Sequence, residues 1–201
     1  MKKRLALLVG CNYPNTQHEL HGCYNDVETM QTLLTNRFGF VKEDIKIMID
    51  KQNEPEKPTG DNIRTALVDM IHGANKGDTF FFFFSGLGAL FESLENDNSP
   101  AIVSCEFDAI RDNGILLSSC SKIQKSVEVD PNNNKSKAYG AFTNAVETTL
   151  KKHPGQITNR KLVQLAEDFL NLKGIGQHPC LFSSDKNADA LFLGQKIGKS
   201  V

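Results

Sequence analysis

The sequence predicts an α/β fold in which a mostly parallel central sheet is flanked by helices. Short apolar stretches alternate with segments of helical periodicity, in the order β-α-β-α-β over the first 84 residues. This order is typical of parallel strands joined by right-handed crossovers. The third stretch, residues 79–84, contains five consecutive phenylalanines without polar alternation, so we expect a buried strand with helices covering both of its faces.

The remaining elements follow from apolar runs, helical spacing and capping residues. Strands are predicted at residues 5–9, 45–49, 79–84, 101–105, 115–118 and 179–183. The first helix is predicted to begin at Asn25, which can cap it while Glu28 reaches back, and to end before Gly39. Further helices are predicted at residues 59–74, 138–152 and 159–172, the last capped by Thr158. Residues 119–137 are polar and are interpreted as a loop.

Length, charge and cysteine content narrow the class of protein. The chain has 201 residues, which suffices for one α/β domain, and a net charge of −1, which predicts no nucleic-acid or membrane partner. No apolar run is long enough to cross a bilayer. The five cysteines are scattered without a CxxC motif, which favours reduced thiols in a cytoplasmic protein. The histidines lack metal-ligand spacing, so we expect no cofactor.

Eight short motifs together span most of the chain, at residues 7–14, 20–27, 58–64, 84–88, 101–105, 114–120, 139–146 and 157–163. In their sequence and their order they resemble the motifs of type II metacaspases, the plant relatives of the caspases. Residues 20–27, for example, look like the family segment Leu-x-Gly-Cys-x-Asn-Asp-Val. The resemblance implies a caspase-like three-layer sandwich forming a single domain over residues 1–201. Residues 1–108 would match the large-subunit part and residues 109–201 the small-subunit part.

Two departures from the family pattern concern catalysis. Leu87 stands where the family carries its histidine, and a leucine side chain has no proton to transfer. The family's nucleophile motif, Asp-Ser-Cys-His-Ser-Gly, is absent from the sequence. The resemblance therefore implies that one core strand, the nucleophile and the linker cleaved during maturation are deleted. We expect a pseudoenzyme without a catalytic pair.

The substrate and metal sites of the family are also incomplete. By resemblance, Asp26 matches an acidic residue that helps bind Arg or Lys at the cleavage site, and its partner would precede the missing cysteine. The family's calcium cluster would retain only Glu95 and Asp97. A hard cation prefers six or more oxygen ligands, so we expect no metal here.

Three functions stay open at this point. The pseudoenzyme could bind active metacaspases or other proteins, or serve as an abundant defence or storage protein. A residual cysteine peptidase cutting after Arg or Lys could pair His21 with Cys120 or Cys23.

A structural protein could self-assemble through a sheet edge, because deleting a core strand leaves residues 80–84 with an unpaired apolar edge. We expect residues 114–118 to pair with residues 79–84, or a partner chain to cover that edge.

Overall fold

The computed structural model describes residues 2–87, 90–92, 100–102, 114–120 and 126–194. Its helices and strands, in chain order, are β1 (Arg4–Gly10), α1 (Cys23–Phe38), β2 (Ile45–Ile49), α2 (Gly60–His72), β3 (Thr79–Ser85), β4 (Leu90–Glu92), β5 (Pro100–Ile102), β6 (Leu116–Ser118), β7 (Glu128–Val129), β8 (Tyr139–Gly140), α3 (Ala141–Lys152), α4 (Asn159–Leu172), β9 (Cys180–Phe182) and α5 (Asp185–Ala188). No helix among these residues is long and apolar enough to span a bilayer.

The chain divides into two compact units. The first comprises residues 1–86 and 128–147, and the second comprises residues 87–127 and 148–201. The first unit is built on a parallel sheet with strand order β2-β1-β3, as the alternating pattern predicted. In the second unit β4 pairs with β5 and β6 pairs with β9, both antiparallel.

The core of the first unit lies on both faces of β1. Leu7 and Val9 pack with Met48 and with residues of α2 on one face. Successive strand residues point to opposite faces, so Leu8 points to the other, where α1 packs. A Cβ atom on Gly10 would lie 2.9 Å from both the Cys23 carbonyl and the Val27 side chain. Glycine at this position therefore permits the close approach of β1 and α1.

The predicted cap of α4 is confirmed, whereas that of α1 is wrong. The Thr158 hydroxyl accepts a hydrogen bond from the Lys161 amide, as predicted. By contrast, α1 begins at Cys23 after Gly22, without a side-chain cap. The Asn25 amide donates instead to the carbonyls of Ser136 and Ala138, at 3.1 and 2.7 Å. The prediction that Asn25 caps α1 is wrong because this distant segment competes for its side chain.

The phenylalanine strand is less buried than the sequence suggested. Phe82 and Phe84 are 46% and 44% exposed, and no phenylalanine of β3 falls in the buried core. Phe82 and Phe84 lie on the same face of the sheet as Leu7 and Val9, with which they pair in β1. Since α2 packs over β1 on this face, it leaves the outer side of β3 exposed. The prediction that β3 is covered on both faces is wrong.

The segment that was expected to pair with β3 in place of a deleted strand pairs with another strand. Leu116–Ser118 pairs with Cys180–Phe182 in an antiparallel ladder, so the prediction that residues 114–118 pair with residues 79–84 is wrong. Within the described part of the chain, β3 has only β1 as a strand neighbour. Part of the predicted loop is also ordered, because Glu128–Val129 pairs with Tyr139–Gly140. The predicted helix over residues 138–152 consequently begins three residues later, as Ala141–Lys152.

Candidate functional site

The carboxyl ends of the three parallel strands carry a network of polar side chains. Asp50, directly after β2, accepts hydrogen bonds from the backbone amides of Asn12 and Tyr13 at 2.9 and 2.7 Å and from the Tyr24 hydroxyl at 2.6 Å. The Asn12 side chain in turn accepts from the Cys23 amide at 3.0 Å. These contacts tie the loop after β1 to the first turn of α1, on the rim where open α/β folds usually bind ligands.

Asp26 is the most deeply buried carboxylate of this rim, with 2% of its surface exposed. It accepts hydrogen bonds from the Ser85 hydroxyl at 2.7 Å and from the Gly140 amide at 2.9 and 3.2 Å. Burial raises its pKa to about 6, with a smaller contribution from Glu128, although Ser85, Gly140 and Thr143 favour the charged form. Asp26 therefore links α1 to the end of β3 and to β8.

Glu128 is the third carboxylate of the site, after Asp50 and Asp26. It accepts hydrogen bonds from the backbone amides of His21 and Gly22, at 2.9 and 2.7 Å, where α1 begins. These amides directly precede α1, and a negative charge near the N-terminus of a helix is favoured by the helix dipole. The ladder of β7 and β8 pairs Glu128 with Gly140, whose amide donates to Asp26. The carboxylates of Glu128 and Asp26 therefore lie in one region. Sequence reasoning missed Glu128 because it lies in a polar segment more than a hundred residues from its partners.

Two cysteines of the rim are buried thiols. Cys11 and Cys23 are both in the core. Burial is the main cause that raises the pKa of Cys11 to about 11 and that of Cys23 to about 12, with Asp50 and Asp26 adding to the respective shifts. Both thiols are thus protonated near neutral pH, whereas a nucleophile must be a thiolate.

Leu87 follows the Ser85-Gly86 pair at the end of β3, and its side chain is 43% exposed. Gly86 is tightly enclosed, because a Cβ atom there would lie 2.9 Å from both the Phe84 ring and the Tyr13 hydroxyl. Of the other residues singled out from the sequence, His21 precedes α1 in the first unit and Cys120 lies in the second, within 3.5 Å of the Ser126 hydroxyl. Their pairing stays a prediction.

A polar cavity of about 430 Å³ adjoins Asp26 in the first unit. Its walls come from α1, from residues 136–139 and from the start of α3, and they include Glu28, Lys137 and Glu147. Asp26 forms part of this wall but directs its oxygens to internal donors. Its assignment as a remnant of a substrate pocket stays a prediction.

The predicted remnant of a calcium cluster lies outside the described ranges. Glu95 and Asp97, to which the family resemblance assigns that role, are not among the described residues. Elsewhere, in the parts of the chain that the structure does describe, no three His, Cys, Asp or Glu side chains are grouped to hold a metal ion.

Comparison with solved structures identifies the fold class. A protein from Geobacter sulfurreducens, GSU0716, is similar over 93% of this chain and 97% of its own, with a TM-score of 0.65 and 16% identity. Caspase-1 from Spodoptera frugiperda is similar over 100% of this chain and 92% of its own, with a TM-score of 0.56 and 12% identity. The fold is therefore caspase-like, as the sequence predicted.

Comparison of sequences identifies the family. The model of the metacaspase, peptidase C14 domain matches residues 3–130, so the chain belongs to the metacaspase family. Metacaspase-9 of Arabidopsis thaliana is 29% identical over 320 aligned positions, covering 97% of this chain and 98% of that relative. Metacaspase-7 of the same plant is 51% identical over 88 residues, 44% of this chain and 22% of that relative. Metacaspase-1 of Schizosaccharomyces pombe is 44% identical over 96 residues, 47% of this chain and 23% of that relative.

The chain is much shorter than the relative it matches from end to end. The alignment with Metacaspase-9 spans 320 positions, whereas this chain has 201 residues. More than a hundred positions of that alignment therefore have no residue of this chain opposite them. By contrast, the chain spans less than a third of the length of Metacaspase-7.

Proposed function

We propose that this protein is a metacaspase homologue of the type II group that does not hydrolyse peptides and acts by binding other proteins. The observation that carries the proposal is Leu87, which stands at the position of the family's histidine. A leucine cannot protonate a leaving amine, so the general acid of the reaction is missing.

The state of the thiols supports the same conclusion. The family's cysteine motif does not occur in the sequence, and the alignment with Metacaspase-9 leaves room for a large deletion. Cys11 and Cys23 do not replace the nucleophile, because their raised pKa values keep them protonated. The partner class that we favour is an active metacaspase, because a homologous surface can retain family contacts after its chemistry is lost.

Peptidase assays test the proposal directly. The full chain is incubated with fluorogenic peptides ending in Arg or Lys, with and without calcium, beside Cys23→Ser and Cys120→Ser variants. We expect no turnover above buffer. Turnover that one of these substitutions abolishes would establish a residual cysteine peptidase and refute the proposal.

Placing an imidazole at position 87 distinguishes the loss of the histidine from the loss of the nucleophile. Leu87→His returns a titratable ring to the family position but adds no nucleophile, so we expect it to remain inactive on the same peptides. Activity in this variant would show that one of the chain's own thiols serves as nucleophile. For the binding role, we expect the chain to co-purify with an active metacaspase and to change its rate. An inert mixture would refute that role.

A second candidate function, self-assembly, is favoured by the exposed face of β3 and by its outer edge, beside which the described residues place no strand. The Thr79 amide donates to the carbonyl of Lys3, which directly precedes β1. The Ser85 carbonyl accepts from the amide of Cys11, which directly follows β1, and both distances are 2.9 Å. Because the bonding direction alternates along a parallel strand, the backbone groups of Phe80, Phe82 and Phe84 point to the opposite edge. A second copy could pair there. Light scattering that shows only monomer across a wide concentration range would dispose of this candidate.

A further inference from the structure

Two cysteines, Cys120 and Cys180, lie in the second unit. In the ladder of β6 and β9, Ser118 pairs with Cys180. Cys120 lies two residues beyond Ser118, just after the ladder ends, and it is near enough to Cys180 to help raise the pKa of that thiol. Both thiols are partly exposed, unlike those of Cys11 and Cys23.

In a regular ladder two cysteines in this relation would stand slightly farther apart than a bonded pair, so one of them must move toward the other. Diagonal neighbours in an antiparallel ladder have Cα atoms about 7–8 Å apart, and disulfides usually span about 4.4–6.8 Å. Cys120 lies beyond the last residue of β6, so it can approach Cys180 without breaking the ladder. The Ser118 hydroxyl donates to the Cys120 carbonyl at 2.8 Å, which already bends the chain back at this point.

Hydrogen bonds fix the chain segments next to Cys120 and next to Cys180. Gln177, which is buried, donates to the Ser119 carbonyl at 2.6 Å and accepts from the Val127 amide at 3.0 Å. The strand end before Cys120 is thereby attached to the segment just before Cys180. His178 is exposed and bonds to Glu167 at 2.9 Å, while the Cys180 thiol donates to the His178 carbonyl at 3.7 Å.

We propose that Cys120 and Cys180 form a redox-active thiol pair that hydrogen peroxide closes to an intramolecular disulfide. The Cys120 thiolate attacks one peroxide oxygen, the O–O bond breaks, and water leaves after protonation. Cys120 is then a sulfenic acid. The Cys180 sulfur attacks that sulfur, an S–S bond forms, the S–O bond breaks, and a second water leaves. Two thiols are oxidised and one peroxide is reduced to two waters.

The electrostatics of the pair set the order of these steps. Burial raises the pKa of Cys180, and the neighbouring Cys120 and Glu167 add to the shift. Cys180 is therefore disfavoured as the first thiolate, and it serves as the resolving thiol. The bond would connect the end of β6 to the start of β9 and so stabilise the second unit under oxidising conditions. This inference does not depend on whether the chain has peptidase activity.

Peptide mapping of the oxidised full chain tests the pair. Reduced protein is treated with hydrogen peroxide, alkylated and digested with trypsin without reduction. We expect residues 112–122 and residues 174–186 to appear as one linked peptide, two hydrogen atoms lighter than the sum, from a protein that stays monomeric. The oxidised protein should also melt at a higher temperature than the reduced protein.

Single substitutions show which cysteines form the bond and which of them reacts first. Cys180→Ser should leave Cys120 as a sulfenic acid that dimedone traps, whereas Cys105→Ser should form the linked peptide as the native chain does. If either variant fails to fold, the map of the native chain still decides the question. A map without the 120–180 link, with a link to Cys105 instead, or with links only between chains would overturn the proposal.

Discussion

Replacing Asp26 with asparagine should remove a defined part of the pH dependence of stability. Asp26 is 2% exposed and its pKa is raised from 3.8 to about 6, chiefly by burial. Each pKa unit corresponds to about 1.4 kcal/mol, so the charged form costs the folded state about 3 kcal/mol relative to the protonated form. Asparagine fits the site, because its oxygen can accept from the Gly140 amide while its NH2 donates to the Ser85 hydroxyl.

The direction of the pH dependence follows from the number of protons that the folded and unfolded states bind. Between pH 3.8 and about 6 the folded state holds the Asp26 proton more tightly than the unfolded state. The stabilisation is complete below pH 3.8 and is lost as the pH rises through about 6. The free energy of unfolding of the native chain should therefore fall across this window by about 3 kcal/mol more than that of Asp26→Asn.

Urea unfolding measured at several pH values across this window checks the prediction. The matched control is Glu28→Gln, which removes a carboxylate from the exposed side of the same helix and leaves the contacts of Asp26 intact. It should keep the pH dependence of the native chain. The reasoning is refuted if the difference between the native chain and Asp26→Asn does not change with pH.

Four further substitutions test the packing within the two units by urea unfolding. Ser85→Ala should lower the free energy of unfolding by about 1–3 kcal/mol, because buried Asp26 loses a donor; an unchanged value would contradict the network. Gln177→Leu should cost a similar 1–3 kcal/mol or so, because two backbone groups lose their partner; a neutral result would mean that water or other groups satisfy them. Leu8→Ala should cost about 2–5 kcal/mol, whereas Phe82→Ala should cost less than about 2 kcal/mol, because Leu8 is fully buried and Phe82 is 46% exposed. Equal costs would show that the face of β3 is covered in solution.

Comparison of the prediction with the structure shows which patterns are local. The alternation of strands and helices, the cap at Thr158 and the limits of α4 were all confirmed. These features depend on residues within a few positions of each other, since hydrophobic spacing and capping act over one or two turns. The placement of Leu87 at the family's histidine position rests on its flanking residues alone and stays a prediction.

Contacts between distant segments were predicted poorly. The sequence offered no signal for Glu128, which bonds to the start of α1, or for the capture of the Asn25 amide by residues 136–138. The exposure of Phe82 was missed for a related reason, because an apolar strand has the same composition whether or not a helix covers it. In that case only the placement of α2 over β1 decided the outcome.

The sequence by itself thus determined the α/β class and the family resemblance, because each is encoded in contiguous residues. The tertiary structure alone decided that Asp26 bonds inward, that Cys23 is a protonated thiol and that β6 pairs with β9. Burial, pKa and strand pairing depend on which distant groups exclude water from a site, and these neighbours come together only when the chain is folded.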